Sequence, residues 1–397
     1  MSTRAEEEIR QGAIIRFLSG ERPLEIYRDL GRSKRWFFKW LGRYKSGSPD
    51  WYVSQYRTPH RLTKRLSAAL ESKVVEIRSR LLSTKYSQIG ANAINWELRK
   101  TGLGPLPIST INRVIKRNGL TRKREKRASR HISYIDWLLE PSPLANRIHQ
   151  ADLVGPRFLK NDGRFYSLNV MDVGTHRVKI NPLRGKGDEG LAQALIASWQ
   201  RLGLPDYLQM DNELSFHGSN KYPHSFGVVI RLCLKLGVQP LFIPIGEPWR
   251  NGEIERFQDV FDKSFFRSQF FPGFQDLCAE AKNFEQFHDQ NHVYSCLGGK
   301  SPNASLTDQN IQLLPQDFKI PEKLPIEDGF IHLVRLIRSD RVLDIFGEKF
   351  LAPAELIYEY VVATICTEIH QLQVRHDNRL VQFFSYPIPM EIGLPML

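Results

Sequence analysis

Three acidic residues stand where a charge is out of character. Asp152 interrupts the hydrophobic run "IHQADLV", and Asp211 follows the strand-like "DYLQM" at the start of "DNELSF". Glu255 falls one turn into a helix that opens after Pro248 and Asn251-Gly252 in "IPIGEPWRNGEIERFQDVFDK". A carboxylate buried at a strand end is costly unless it is paired, hydrogen-bonded or bound to metal. A small carboxylate set favours Mg²⁺ or Mn²⁺, which keep open positions for water and phosphate oxygens. Two such ions about 4 Å apart activate a water or a 3′-hydroxyl and stabilise the leaving oxygen of a phosphodiester. The chemistry open to these residues is metal-dependent phosphoryl transfer.

The elements that must position them follow from the surrounding pattern. "RIHQADLV", "RFYSLNVMDV" and "HRVKINPL" read as three strands, "GLAQALIASWQRLG" as an amphipathic helix, and "DYLQM" as a fourth strand. A helix around Phe226 to Leu236, the strand "VQPLFIP" and a helix from Asn251 continue the alternation. Together they predict a mixed sheet covered by helices over 146–305. In such a sheet the carboxyl ends of parallel strands line the ligand crevice. The helix from Asn251 sets Ile254, Phe257, Phe261 and Phe265 on one apolar stripe that Glu255 borders, with Glu253 about 160° away. Glu253 and Asp259 are expected to face solvent or favour the helix dipole, and Glu247 to lie in a loop. Asp172 in "VMDVG" is expected to be a strand-end turn residue or a support for the site.

Charge is asymmetric along the chain. Residues 1–130 hold 30 of the 56 Lys and Arg but 11 of the 43 Asp and Glu, within a net charge of +13 over 397 residues. A basic front fits a polyanion partner, although a solvated basic face would look the same. Residues 9–45 read as three short helices with Ile14, Ile15, Phe17, Leu18, Leu24, Ile26, Tyr27, Leu30, Trp36, Phe37 and Trp40 apolar. Ser33 is the expected cap of the third, whose outer face would carry Lys34, Arg35, Phe38, Lys39 and Arg43. A second trihelical unit follows, with helices at 68–82, 87–100 and 110–117, the last capped by Ser109 and presenting Asn112, Arg113, Lys116 and Arg117. "TRKREKRASR" then places Arg122, Lys123, Arg124, Lys126 and Arg127 in a linker that tracks phosphates or serves as a tether.

The expected organisation is multidomain: helix-turn-helix units at 1–50 and 65–120, a basic linker at 121–145, an α/β core at 146–305 and a small β-barrel at 325–390. Four scattered cysteines offer neither a disulfide framework nor a zinc site. No apolar run is long enough to span a membrane and the N-terminus lacks a signal-peptide core, so the cytosol is the expected compartment.

"HQADLV", "QMDNELSF" and "EPWRNGEIERF" resemble the three blocks of the DDE transposases of bacterial insertion sequences and of retroviral-type integrases. The later "FHDQNHVYSCLGGKSPNASL" resembles the tail that follows that catalytic core. The resemblance implies an α/β ribonuclease H-like core, with Asp152, Asp211 and Glu255 as catalytic metal ligands and two Mg²⁺ or Mn²⁺ ions. It further implies DNA cleavage and strand transfer on transposon ends and target DNA, in a homodimer or larger assembly within the bacterial nucleoid. DNA contacts from Asn251 and Lys263 are expected. Departures exist: Glu213 replaces a glycine of the pattern, Ser215 an acidic residue, and Asp262 stands where a base is usual, with Lys263 one step on. A non-catalytic regulator derived from such an enzyme is the rival reading, and a ribonuclease H leaves the helix-turn-helix units unexplained.

Overall fold

A computed structural model describes residues 3–54, 66–121, 144–219, 221, 223–306, 311–389 and 394–395. The basic run at Arg122, Lys123, Arg124, Lys126 and Arg127 lies outside the described residues. The chain divides into two compact units, Met1–Leu66 and Ser67–Leu397.

The first unit contains α1 (Thr3–Leu18), α2 (Pro23–Asp29) and α3 (Lys34–Lys45) around Ala13, Ile14, Ile26, Phe37 and Leu41. Ser33 caps α3 as expected, its hydroxyl accepting from the Trp36 N–H at 3.2 Å. Ile15, Leu18 and Leu24 are exposed rather than core. Helical spacing explains the α1 pair: with residues 13, 14 and 17 turned inward, 15 and 18 fall on the outer face.

The second unit opens with α4 (Ala68–Ser83), α5 (Ala91–Lys100) and α6 (Ile108–Arg117). α5 starts four residues later than expected, because Tyr86 takes a left-handed backbone (φ 67°) that ends helical geometry between α4 and α5. α6 starts at Ile108 after Pro107 and has no side-chain cap, so Ser109 lies inside it. Pro107 has no N–H to satisfy and a φ already close to helical. The breaker before α6 is pinned by buried Asn95, whose amide bonds both the carbonyl and the N–H of Leu106 at 2.9 Å.

The core is a mixed sheet. β1 (Ile148–Leu159), β2 (Gly163–Asp172) and β3 (Val178–Leu183) are antiparallel neighbours, followed by α7 (Asp188–Leu202), β4 (Tyr207–Met210), α8 (Leu214–His217), α9 (Val228–Lys235) and β5 (Gln239–Phe242). β4 runs parallel to both β1 and β5. A 3₁₀ turn at Pro248–Asn251 leads into α10 (Gly252–Val260), a π turn at Phe261–Phe266 extends it, and α11 (Phe274–Asn291) follows. Side-chain alternation splits the apolar residues of β2: Leu168 and Val170 pack with α7 and α9, Phe165 and Met171 with α10 and α11. Gly218 follows α8 and Gly227 precedes α9. Gly218 (φ 96°) meets Gly227 so tightly that a Cβ on Gly218 would stand 2.7 Å from the Gly227 nitrogen.

The strands after the core do not close into a separate barrel. β7 (Phe330–Leu336) pairs in parallel with β5, and β10 (Tyr360–Cys366), β11 (Gln371–His376) and β12 (Arg379–Ser385) continue outward, giving the order β12-β11-β10-β7-β5-β4-β1-β2-β3. Two small pairs stand apart: β8 (Val342–Ile345) with β9 (Glu348–Leu351), and β6 (Lys323–Leu324) with β13 (Leu394–Pro395). The physical reason is the open edge of β5, whose buried backbone N–H and C=O groups need a ladder partner that β7 supplies. Ile331, Leu333, Ile365 and Leu372 join the same hydrophobic cluster as α7 and α9.

Candidate active site

Register brings the two aspartates abreast. Gln150 of β1 pairs with Gln209 of the parallel neighbour β4, and two residues further along each strand direction stand Asp152 and Asp211. Residues two apart on a strand share a face, so Asp152 follows Gln150 toward α10, while Ala151 and Leu153 point into the α7 and α9 cluster. Those glutamines also seat the start of α10. Gln150 Oε1 accepts the Ile254 N–H at 3.0 Å. Gln209 Nε2 donates to the Arg250 carbonyl at 3.0 Å and to Asn251 Oδ1 at 3.1 Å. Asn251 Nδ2 returns to the Ala151 carbonyl at 3.0 Å. Asn251, expected at DNA, is buried and stitches helix to sheet.

The apolar stripe of α10 is as the spacing predicts: Ile254, Phe257, Phe261 and Phe265 are buried among Phe271 and Phe284. Glu255 is exposed at the border of that stripe. One turn on, Gln258 Nε2 donates to Asp152 Oδ2 at 3.0 Å, and its Oε1 accepts from Asn169 Nδ2 at 2.9 Å. Ser167 in turn donates to Asn169 Oδ1 at 2.6 Å. This chain across β2, β1 and α10 fixes one oxygen of Asp152. Gln258 escaped the sequence reading, although its i+3 spacing from Glu255 marks it.

Burial pushes the Asp152 carboxyl up to about 6; the charges of Asp211, Glu255 and Glu213 add to the rise, and the Gln258 amide opposes it. Asp211 is also raised by burial and by the charge of Glu213, against the pull of the Glu213 N–H and of Lys186. The Glu213 N–H reaches Asp211 Oδ1 at 3.0 Å, and the Lys186 ammonium pairs with the Glu213 carboxylate. Glu213, standing where the pattern has glycine, is thus neutralised by a lysine from the glycine-flanked loop "RGKGDEG". Asp152 feels the charge of the other three carboxylates. Among the described residues, however, no group of three or more His, Cys, Asp or Glu is already gathered to hold a metal ion.

The remaining acids of "IPIGEPWRNGEIERFQDVFDK" have structural partners. Glu253 pairs with Arg256 at 2.7 Å and Asp259 with Lys263 at 3.0 Å, both at the surface. Glu247 is held rather than loose: Arg250 Nε and the Tyr360 hydroxyl of β10 each donate to it at 2.5 Å. Asp262 accepts both contacts of Arg157 from β1, at 2.9 and 2.8 Å, and ties the π turn to the sheet. Asp172 is the strand-end turn residue: it accepts from Thr175 Oγ1 at 2.5 Å and from the N–H groups of Asn146 and Gly174. It pairs with His149, three residues before Asp152 on β1.

The basic residues expected at DNA sort into two groups. Lys34, Arg35 and Lys39 on α3 and Asn112, Arg113 and Lys116 on α6 are exposed. Arg43 instead stacks 4.8 Å from the Trp40 ring centre and donates to the Val53 carbonyl at 3.1 Å. Arg117 donates two hydrogen bonds to the Glu71 carboxylate of α4, at 2.9 and 2.6 Å. Lys263 is exposed and paired with Asp259. α6 does not float beside the core. Between α4 and α5, Tyr86 lodges its ring against Phe265, Phe284 and Phe287, and its carbonyl accepts from His292 Nε2 at 2.8 Å. Lys85 pairs with Glu280 at 2.6 Å, and Gln88 Oε1 accepts the Val293 N–H at 2.8 Å.

Among the described residues no helix is long and apolar enough to cross a membrane. Residues 4–52 match the HTH_23 family model, a homeodomain-like domain, over the first trihelical unit. Solved structures with likeness to the chain include the HTLV-2 integrase catalytic core domain in complex with magnesium, at 17% identity and TM-score 0.31, covering 41% of this chain and 96% of that one. The simian T-cell lymphotropic virus intasome in complex with the PP2A regulatory subunit B56 gamma gives 13% and 0.36, covering 79% and 97%. The catalytic core domain of BIV integrase gives 15% and 0.30, covering 40% and 91%. The chain is thus similar to a homeodomain-like domain over its first unit and, at low identity, to these retroviral integrase structures.

Proposed function

We propose that this protein is a DNA transposase that binds the terminal repeats of its element through its helix-turn-helix units and catalyses end cleavage and strand transfer. The observation that carries this reading is the pair Asp152 and Asp211, abreast on parallel strands beneath a helix that bears Glu255 and is stitched to both strands. An all-oxygen carboxylate set in which the charges of Asp211 and Glu255 raise the proton affinity of Asp152 suits a hard divalent cation, which relieves that repulsion. Asp152, Asp211 and Glu255 would hold Mg²⁺ or Mn²⁺, two ions by analogy, supplying Lewis-acid activation of water or a 3′-hydroxyl and stabilisation of the leaving oxygen.

The protein's own groups do the positioning. Gln258 orients Asp152 so that one oxygen is committed and the other is available. Glu255, exposed at the helix border, would complete the set. Lys186 keeps Glu213 from adding a fourth unbalanced charge. The α4–α6 unit, tied to α11 through Tyr86 between α4 and α5, would present DNA to the carboxylates, with Asn112, Arg113 and Lys116 outward. The basic run from Arg122 to Arg127 would add positive charge for DNA phosphates. The enzyme works in the bacterial cytosol as a dimer or larger assembly on paired ends.

The test is incubation of the protein with duplexes carrying the inverted repeats that bracket its gene, in Mg²⁺ or Mn²⁺, followed by sequencing gels. Cleavage exposing a 3′-hydroxyl, and its joining to a second duplex, are the expected products. Specific binding of those ends with no cleavage in either ion would instead identify a regulator derived from such an enzyme.

A further inference from the structure

The strands added beyond the core reach the candidate site through one residue. Arg335 lies in the apolar run "FIHLVRLI", where a charge is as out of place as Asp152 is in its own strand. β7 runs parallel to β5 with Leu333 level with Phe242, so Arg335 extends past the end of β5, from the sheet face that Ile331 and Leu333 share with α7 and α9. It is 5% exposed. Nε donates to the Asp344 carbonyl at 2.9 Å, and Nη1 to the carbonyls of Val334 at 2.9 Å and Ile243 at 3.3 Å. Nη2 donates to Asn212 Oδ1 at 2.8 Å, and Asn212 Nδ2 closes the ring on the Ile243 carbonyl at 2.6 Å.

Each of these acceptors is neutral, so burial costs this cation more than a packed hydrocarbon would cost; the guanidinium is pushed down to about 10 by burial, with Asp344 opposing. Packing alone does not call for such a group. A rigid fork with five donors does something a hydrocarbon cannot: it ties the end of β5, the β8 hairpin strand and the Asp211-Asn212 loop into one piece.

We propose that Arg335 is a positioning residue for the metal-binding carboxylates, holding Asp211 in place through Asn212 and the Ile243 carbonyl. This rests on the transposase reading above. The C-terminal strands thereby become part of the active centre's scaffold. Groups that orient metal ligands through a hydrogen bond typically change affinity by about 10- to 100-fold when removed.

The experiment uses the full-length protein and reads Mn²⁺ binding by electron paramagnetic resonance together with the rate of end cleavage. Arg335→Met and Asn212→Ala should each weaken Mn²⁺ binding by about tenfold or more, with duplex affinity unchanged and cleavage restored by excess Mn²⁺. The double variant should be no worse than the poorer single one, because both break one tie. Arg335→Lys should not rescue, since an ammonium lacks the fork. If Arg335→Met fails to fold, Asn212→Ala, which keeps the three carbonyl bonds of Arg335, carries the test. Wild-type Mn²⁺ affinity in Asn212→Ala, or additive losses in the double variant, would overturn the proposal while leaving wild-type cleavage and the transposase reading intact. A wild-type protein that neither binds Mn²⁺ nor cleaves would overturn both.

Discussion

The sheet side and the helix side of the candidate site are built differently. Asp152 and Asp211 are half-buried at strand ends, hydrogen-bonded from Gln258 and from the Glu213 N–H, and both are held above the usual carboxylate range. Glu255 is exposed on α10, a helix whose start is tied to the sheet by Gln150, Gln209 and Asn251. Two carboxylates are thus pre-positioned at a cost in stability, and the third is presented at little cost. The contrast teaches that a site of this kind stores its electrostatic strain in the sheet and leaves its adjustable member on the helix.

The largest expected effect ignores the contrast. Asp152→Asn, Asp211→Asn and Glu255→Gln should each reduce end cleavage by about a thousandfold or more with DNA binding retained, because each removes a proposed ligand. Full activity in any one of them would remove that residue from the site.

The next effect separates the two sides. Asp152 titrates near 6 when folded and near 3.8 when unfolded. The folded state therefore binds the extra proton between those values, and stability is lost as pH rises through about 6. At pH 7.5 without divalent ions the ionised Asp152 costs about 2–3 kcal/mol, so Asp152→Asn should stabilise the protein by that amount and flatten its stability between pH 4 and 7. Glu255→Gln should stay within about 0.5 kcal/mol of wild type. Chemical denaturation at pH 5 and 7.5 reads both. Equal shifts for the two variants would erase the distinction between sheet and helix.

The smallest effect concerns the residue standing where a base is usual. Asp262→Lys should not improve DNA binding and should destabilise by about 1–2 kcal/mol, since it replaces the partner of Arg157 with a like charge. Tighter DNA binding with unchanged stability would restore a DNA-gripping role to that position.

Much of this arrangement was legible in the sequence, for identifiable reasons. Charge interrupting an apolar strand marked Asp152, and helical spacing marked the Phe257, Phe261 and Phe265 stripe, because burial imposes those patterns locally. The exposed face of α3 and its Ser33 cap were legible in the same way. What escaped depends on pairing between distant segments. The separate barrel was wrong because short β runs do not say which edge they join, and here β7 completes β5. The burial of Asn251 escaped because it depends on Ala151, 100 residues away. Arg117 is outward as helical phase predicts, while its pairing with Glu71 and the bond of Arg43 to Val53 depend on segments the phase does not reveal. Arg335 carried the same signal as Asp152, a charge inside an apolar run, and only the fold shows that it points at the Asp211 loop.

The central claim is that one site is shared by two strand-borne aspartates and one helix-borne glutamate. Crystals soaked in Mn²⁺ test it most directly through anomalous difference density. The account predicts a peak bridging Asp152 and Asp211, with Glu255 turned to share the ion site and Gln258 still on Asp152 Oδ2. A peak elsewhere in the core, or ions at Asp152 and Asp211 that Glu255 does not approach even with end DNA bound, would contradict it.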